Sequence, residues 1–288
     1  MRLPATMTFP AAMRLTAATK LPARFATVGF VVLASLAAAS PAAARSVAEI
    51  KRSGELVMLS YLGANESFLR RAPGGGYEGL DYELVAGFAR TLGVRLRVVA
   101  KPRFVELIPA LLAGEGDLIA STMSITAERE TVVDFTQPYF PVVAMVLARK
   151  GSGLTGLDSL AGKRVGVPPG TTLEARAAKM SFAAITPARG AADSIRVLTN
   201  GEVDVVLMES SLALPVLAHE PRFELVATLP EVEQYGIAVP PGSDLRPALD
   251  AFLASTRNGR SFYQLVLRYL GEHGVQLLKV KSAPQPTR

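Results

Sequence analysis

Gly114-Glu115-Gly116-Asp117-Leu118-Ile119-Ala120-Ser121-Thr122 and Gly201-Glu202-Val203-Asp204-Val205-Val206-Leu207-Met208-Glu209 are two versions of one passage, offset by 87 residues. Each follows an apolar stretch with helical spacing. In each, a glycine ends the helix, an aspartate three residues on opens a buried strand, and the strand's carboxyl end delivers polar side chains. These are Ser121 and Thr122 in the first copy and Glu209 in the second. Helices feeding short apolar strands build parallel α/β sheets, so two copies predict two α/β lobes of similar construction. Ligands of open α/β sheets bind beyond the carboxyl ends of the strands, which puts Thr122 and Glu209 across a shared cleft. The alternative is two generic helix–strand units whose glycine–aspartate spacing coincides.

Working outward, Glu55-Leu56-Val57-Met58-Leu59 reads as a strand after Gly54, and Pro73-Gly74-Gly75-Gly76 as a tight turn. A phosphate cradle would need a helix start with a lysine after it, and none follows. Tyr82, Val85, Phe88, Ala89 and Leu92 share a helical face that Gly93 terminates, and Val94, Leu96 and Val98 then alternate as a strand. Two strands are expected to join the lobes: Val142 to Leu147 leaving the first, and Tyr235 to Val239 returning after the weakly patterned Pro230-Glu231-Val232-Glu233. Helices over 245–255 and 261–270 then complete the first lobe. The expected division is therefore 45–141 with 235–281 for the first lobe, 142–234 for the second, and a polar, disordered tail over 282–288.

The formal charge of +6 on 288 residues suggests a nucleic-acid or membrane-surface partner until its distribution is considered. Four of those charges, Arg2, Arg14, Lys20 and Arg24, lie in residues 1–44, so the other 244 residues carry only +2. The first 44 residues also hold an apolar run from Phe25 to Ala39 and then Ala42-Ala43-Ala44, the pattern of a signal peptide cut before Arg45. An uncleaved anchor is the alternative, but the run falls short of the roughly 18 residues of a comfortable span. Met7 and Met13 are alternative starts. Without cysteine there is no disulfide, thiolate metal site or lipidated cysteine, so a periplasmic protein free of the membrane is expected, with no nucleic-acid partner.

Several motifs, in order, now carry a resemblance: Gly79-Leu80-Asp81-Tyr82-Glu83-Leu84, Ser121-Thr122-Met123-Ser124-Ile125-Thr126-Ala127-Glu128-Arg129, Val133-Asp134-Phe135-Thr136-Gln137-Pro138-Tyr139-Phe140, Leu160 to Val167, and Gly170-Thr171-Thr172. Together they resemble the family 3 bacterial extracellular solute-binding proteins. The resemblance implies a type II periplasmic-binding-protein fold, two lobes joined by two hinge strands, that takes an amino-acid-like solute to the membrane subunits of an ABC importer. A monomer without cofactor or metal is implied. Hinge closure in such proteins is a standard example of ligand-driven domain motion.

Residue by residue, the resemblance gives Arg129 the ligand's carboxylate, which a guanidinium grips through two parallel hydrogen bonds. Thr126 would cap the helix that Arg129 begins. Ser121, Thr122, Met123 and Ser124 form the first-lobe wall, and Thr171 and Thr172 meet the ligand from the second. Glu209 stands where the family has an aspartate for the α-amino group, and the extra methylene moves its carboxylate by about 1.5 Å. A helix-capping role is the alternative for Glu209. Phe104, with Tyr61 or Phe68, would flank the side chain, although Phe104 also suits a helix core.

The same fold includes cyclohexadienyl dehydratases, which act on prephenate or arogenate with a carboxylate just after the position of Glu209. Ser210, Ser211, Leu212 and Ala213 offer none here, and Glu174 reads more simply as a first-turn helix residue. His219 and His273 lie far apart in no metal-ligand spacing. A sensor module or the binding portion of a cell-wall lytic enzyme is a third reading, for which no catalytic or membrane domain is seen in this sequence. A non-enzymatic binding protein is therefore expected.

Overall fold

A computed structural model of the chain describes residues 44–63, 65–257 and 259–280. The expected signal segment up to residue 43 and the tail over 282–288 lie outside the described residues. Helix α1 (Val47–Ser53) leads into β1 (Glu55–Tyr61), a small hairpin of β2 (Arg70–Arg71) and β3 (Tyr77–Glu78), α2 (Leu80–Leu92), β4 (Arg95–Lys101), α3 (Leu107–Leu112), β5 (Leu118–Ile119) and β6 (Asp134–Phe135). The long β7 (Phe140–Arg149) precedes β8 (Arg164–Val167), α4 (Thr172–Ala177), β9 (Ala184–Pro187), α5 (Gly190–Thr199), β10 (Val205–Glu209) and α6 (Ser210–His219). The chain closes with β11 (Phe223–Tyr235), β12 (Ala238–Val239), α7 (Leu245–Thr256) and α8 (Arg260–Leu277).

These strands make two five-stranded sheets, ordered β4-β1-β5-β12-β6 and β11-β7-β10-β8-β9. Inside the first, β1 pairs in parallel with β4 and β5. Its run of apolar residues is buried on both faces: Leu56 and Met58 pack beneath α2 and α8, while Leu59 packs beside α3. Burial of each such side chain contributes about 1.5–3 kcal/mol. Gly93 ends α2 in the left-handed conformation with φ 74°, as its place after Leu92 predicts. The Gly74–Gly76 segment is the turn of the β2–β3 hairpin.

The repeated aspartates have equivalent roles in the two sheets. Asp117 precedes β5 and accepts the backbone N–H of Val57 on the parallel neighbour β1 at 2.7 Å. Asp204 precedes β10 and accepts the backbone N–H of Arg164 on the parallel neighbour β8 at 2.8 Å. Each also binds one guanidinium through both oxygens, Arg45 for Asp117 and Arg164 for Asp204. The repeat thus fixes where a helix-fed strand enters beside its partner.

Two strands connect the lobes. Phe140 and Val142 of β7 sit in the first core, whereas Ala144, Val146 and Ala148 sit in the second. β11 runs back antiparallel to it, from Phe223 opposite Arg149 to Tyr235 opposite Phe140. The returning strand therefore begins well before the expected Tyr235 and includes Pro230 to Glu233. Register irregularities after Leu225 and Thr228 interrupt its alternation, which hides it in the sequence. On the hinge side α6 packs against α8, and Leu214 touches both cores.

Among the described residues no helix is long and apolar enough to cross a membrane, and no group of three or more His, Cys, Asp or Glu could hold a metal ion.

Candidate functional site

Between the lobes lies a cavity of about 210 Å³. Tyr61, Phe104, Thr122, Ser124 and Arg129 line it from the first lobe, and Thr171, Thr172 and Glu209 from the second. Eight of the eleven residues singled out in the sequence thus meet around one cavity. The other three do not. Phe68 is buried in the first core, its ring edge-on to Phe140 at 5.4 Å and to Tyr235 at 5.5 Å, so it supports the base of the hinge strands. Ser121 and Met123 face inward: the Ser121 hydroxyl accepts the Tyr61 N–H at 3.0 Å, and Met123 packs with Leu107 and Ile119. In this bent segment Thr122 and Ser124 reach the cavity while the residues between and before them do not.

Arg129 opens a single 3-10 turn, Arg129–Thr131, in place of the expected α-helix. Its N-cap residue is Glu128 and not the expected Thr126, although Thr126 Oγ1 accepts the Arg129 N–H at 3.2 Å. The guanidinium donates to the Ser124 carbonyl at 2.7 Å and lies over the Phe104 ring, 5.3 Å from its centroid. Burial lowers its pKa, and the nearby Glu233, Glu209 and Glu128 oppose that. Phe104 is therefore half core and half platform for the cation, while it also lines the cavity. Ser124 is held in place by the hinge: Ile125 N–H donates to the Gln234 carbonyl at 2.8 Å and Gly236 N–H to the Met123 carbonyl at 3.0 Å.

Thr122 has φ 47°, the left-handed region that a β-branched residue avoids. It is pinned there by Asp81 of the Gly79-Leu80-Asp81 motif, whose Oδ2 accepts the Thr122 N–H at 3.0 Å while Oδ1 accepts the Tyr139 hydroxyl at 2.6 Å. Burial pushes the Asp81 carboxyl up to about 6, and those two bonds pull against it.

Across the cleft, Thr171 caps α4 and donates to the Pro168 carbonyl at 2.7 Å. Glu174 turns back to accept the Gly170 N–H at 2.7 Å, so it closes the cap and is absent from the cavity wall. The Thr172 hydroxyl donates to Glu233 Oε2 at 2.7 Å, and Glu233 Oε1 pairs with Arg176 at 2.8 Å. Glu209 is the N-cap residue of α6 but makes no side-chain cap bond. Its carboxyl instead accepts the Tyr235 hydroxyl, and burial pushes its pKa up to about 7, helped by Glu233 and opposed by Tyr235 and Arg129. The line of contacts continues: Tyr235 lies 3.5 Å from the Ser211 hydroxyl, which accepts from Asn65 of the first lobe at 3.2 Å.

Sequence reasoning missed Glu233 and Tyr235, which share a face of β11 because they lie two residues apart. It also missed Arg103 and Arg189, which line the cavity. The lobes touch at Val105 and Gly170: a Cβ built on Gly170 would stand 2.1 Å from Val105 Cγ1.

Residues 62–272 match the family model described as bacterial extracellular solute-binding proteins, family 3. A probable histidine-binding protein of Campylobacter jejuni is 33% identical over 54% of this chain and 60% of its own length. A second, from Neisseria gonorrhoeae, is 28% identical over 71% of this chain and 79% of its own. The membrane-bound lytic murein transglycosylase F of Desulfosudis oleivorans is 26% identical over 78% of this chain, a match that spans only 50% of that enzyme. Among solved structures, the arginine-bound form of a truncated ArgBP from T. maritima superposes with a TM-score of 0.67 at 32% identity, covering 72% of this chain and 99% of that truncated one. The two-lobed fold with paired connecting strands is thus that of amino-acid-binding proteins.

Proposed function

The chain belongs to the bacterial extracellular solute-binding proteins of family 3, and from that premise we propose that it binds an amino acid or a close relative in the cleft and delivers it to an ABC importer. The observation that carries this reading is the opposed pair on the cavity wall. Arg129 offers a fixed guanidinium to a carboxylate, and Glu209 offers a carboxyl to an ammonium. Thr122 and Ser124 on one side and Thr171 on the other supply neutral hydrogen-bonding groups around the ion pairs. Residues 1–44 act as the signal peptide for export to the periplasm. Arg45, the residue after the proposed cut, is already fixed to Asp117. The lobes divide at residues 141/142 and 234/235 and close about β7 and β11, and the protein works as a monomer.

A dehydratase reading would need a second free acid beside Glu209, but Glu174 is committed to the Gly170 N–H and Glu233, whose charge acts on Glu209, is held by Thr172 and Arg176. Binding is therefore the better-supported function. The test is thermal unfolding of protein refolded free of carried-over solute, against amino acids, polyamines, small organic acids and prephenate. A melting-point rise with an amino acid and no turnover is the expected result. Turnover of prephenate would replace the binding role with a catalytic one.

A further inference from the structure

The cavity wall carries three arginines, Arg103, Arg129 and Arg189, against one carboxylate, Glu209. An α-amino acid seated as proposed above uses one of each, Arg129 for its carboxylate and Glu209 for its ammonium. Arg103 and Arg189 then remain, with no second acid on the wall to oppose them. Arg103 is partly engaged, its Nε donating to Glu106 at 2.6 Å, and its side chain is 65% exposed.

Arg189 is the N-cap residue of α5, and its backbone N–H donates to Asp193 Oδ2 at 2.8 Å. Its guanidinium makes no hydrogen bond or ion pair with any described residue. Asp193, on whose carboxylate the charge of Arg189 acts, already takes the side chain of Arg196 at 2.7 and 3.0 Å. From the second lobe Arg189 stands close enough to Tyr61 of the first for its charge to act on that phenol. Gly190 and Ser194, in the first turns of α5, line the cavity beside it. Arg189 is exposed, and its guanidinium and a helix start thus stand side by side on the cavity wall, where both favour an anion.

We propose that the solute carries a second anionic group beyond its α-carboxylate, as an acidic amino acid does, and that Arg189 with the start of α5 receives it. This rests on the reading of the site given above. Tyr61 and Phe104 cover the apolar stem between the two charged ends. A cationic side chain would enter the same space facing Arg103 and Arg189, so like charges select against the arginine carried by the T. maritima relative.

Calorimetric titration of the refolded protein with L-glutamate, L-aspartate, L-glutamine, L-histidine and L-arginine tests this. An acidic amino acid should bind at least about tenfold more tightly than glutamine or arginine. Arg189→Gln should cut the ratio of glutamate to glutamine affinity about tenfold, with an unliganded melting temperature equal to that of the wild type. Tighter binding of arginine or histidine, or an unchanged ratio in Arg189→Gln, would overturn the inference and leave the amino-acid site standing. Failure of every amino acid to bind would overturn both.

Discussion

Glu209 and Asp81 are carboxyls that burial pushes toward neutrality, one on the cavity wall and one beneath it. For Asp81 the partners are fixed, and removing it strands the Tyr139 hydroxyl and the Thr122 N–H. Asp81→Ala should therefore lower stability by about 3 kcal/mol in urea unfolding. Thr122→Gly should cost far less, because it also relieves a left-handed β-branched residue worth about 1–2 kcal/mol. Both carboxyls have folded pKa values above their unfolded ones. Their stability contribution is complete below the unfolded values near 4 and is lost as pH rises through about 6 for Asp81 and about 7 for Glu209. Unliganded protein should thus become less stable between about pH 4 and 7, which melting temperatures across that range will show. A ligand ammonium seated as proposed would reverse the preference at Glu209. Affinity should fall about tenfold per unit as pH drops below about 7, with proton release visible in calorimetry. Tyr235→Phe removes a donor to the carboxylate, so the fall should begin at higher pH. Whether each residue faced the cavity was only half legible in Ser121-Thr122-Met123-Ser124. The motif marked the place, but the bend of the chain decided which side chains reach it.

At the scale of elements, Gly170 shows how the loop before α4 serves the cleft. Its φ of 74° excludes an easy side chain, and the Val105 methyl occupies the space a Cβ would need. Gly170→Ala should cost about 1–2 kcal/mol of stability from the backbone alone and weaken solute binding by wedging the lobes apart. Adding Val105→Ala should restore affinity while leaving the stability loss, since only the steric half is relieved. Affinity unchanged in the single variant would show that the lobes do not need this contact. The repeated Gly-x-x-Asp passage was readable because its glycine acts locally as a helix stop and its recurrence marks the aspartate, whose bond to the N–H of a neighbouring strand is itself distant in sequence. β11 was not, because its irregular register mixes buried and exposed residues without a period. Glu233 and Tyr235 were missed with it. Their importance comes from Thr172, Arg176 and Glu209, all distant in sequence.

At the scale of the molecule, the cavity is made of two half-sites that matter only together. In the proposed site, contacts from Thr171, Thr172, Glu209 and Arg189 would reach a solute held on Arg129 only when the lobes meet, so binding energy and closure would be one quantity. Small-angle scattering should accordingly show a smaller radius of gyration when the solute is added, and no change with a solute that the calorimeter does not detect. The two-lobe plan was legible in the repeat, whereas the charge balance of the cavity was not. Arg103 and Arg189 carry no local pattern, and only the packing of one lobe on the other brings them to the wall with Arg129. The measurement that bears most directly on the amino-acid site is titration of wild type and Arg129→Ala with whichever amino acid raises the melting temperature. One-to-one binding should weaken in the variant by a factor on the order of 30 to several thousand, the equivalent of about 2–5 kcal/mol for one partner of a buried charge pair. Equal affinity in the two proteins would mean that the solute's carboxylate is not held by Arg129 and that the site has been placed wrongly.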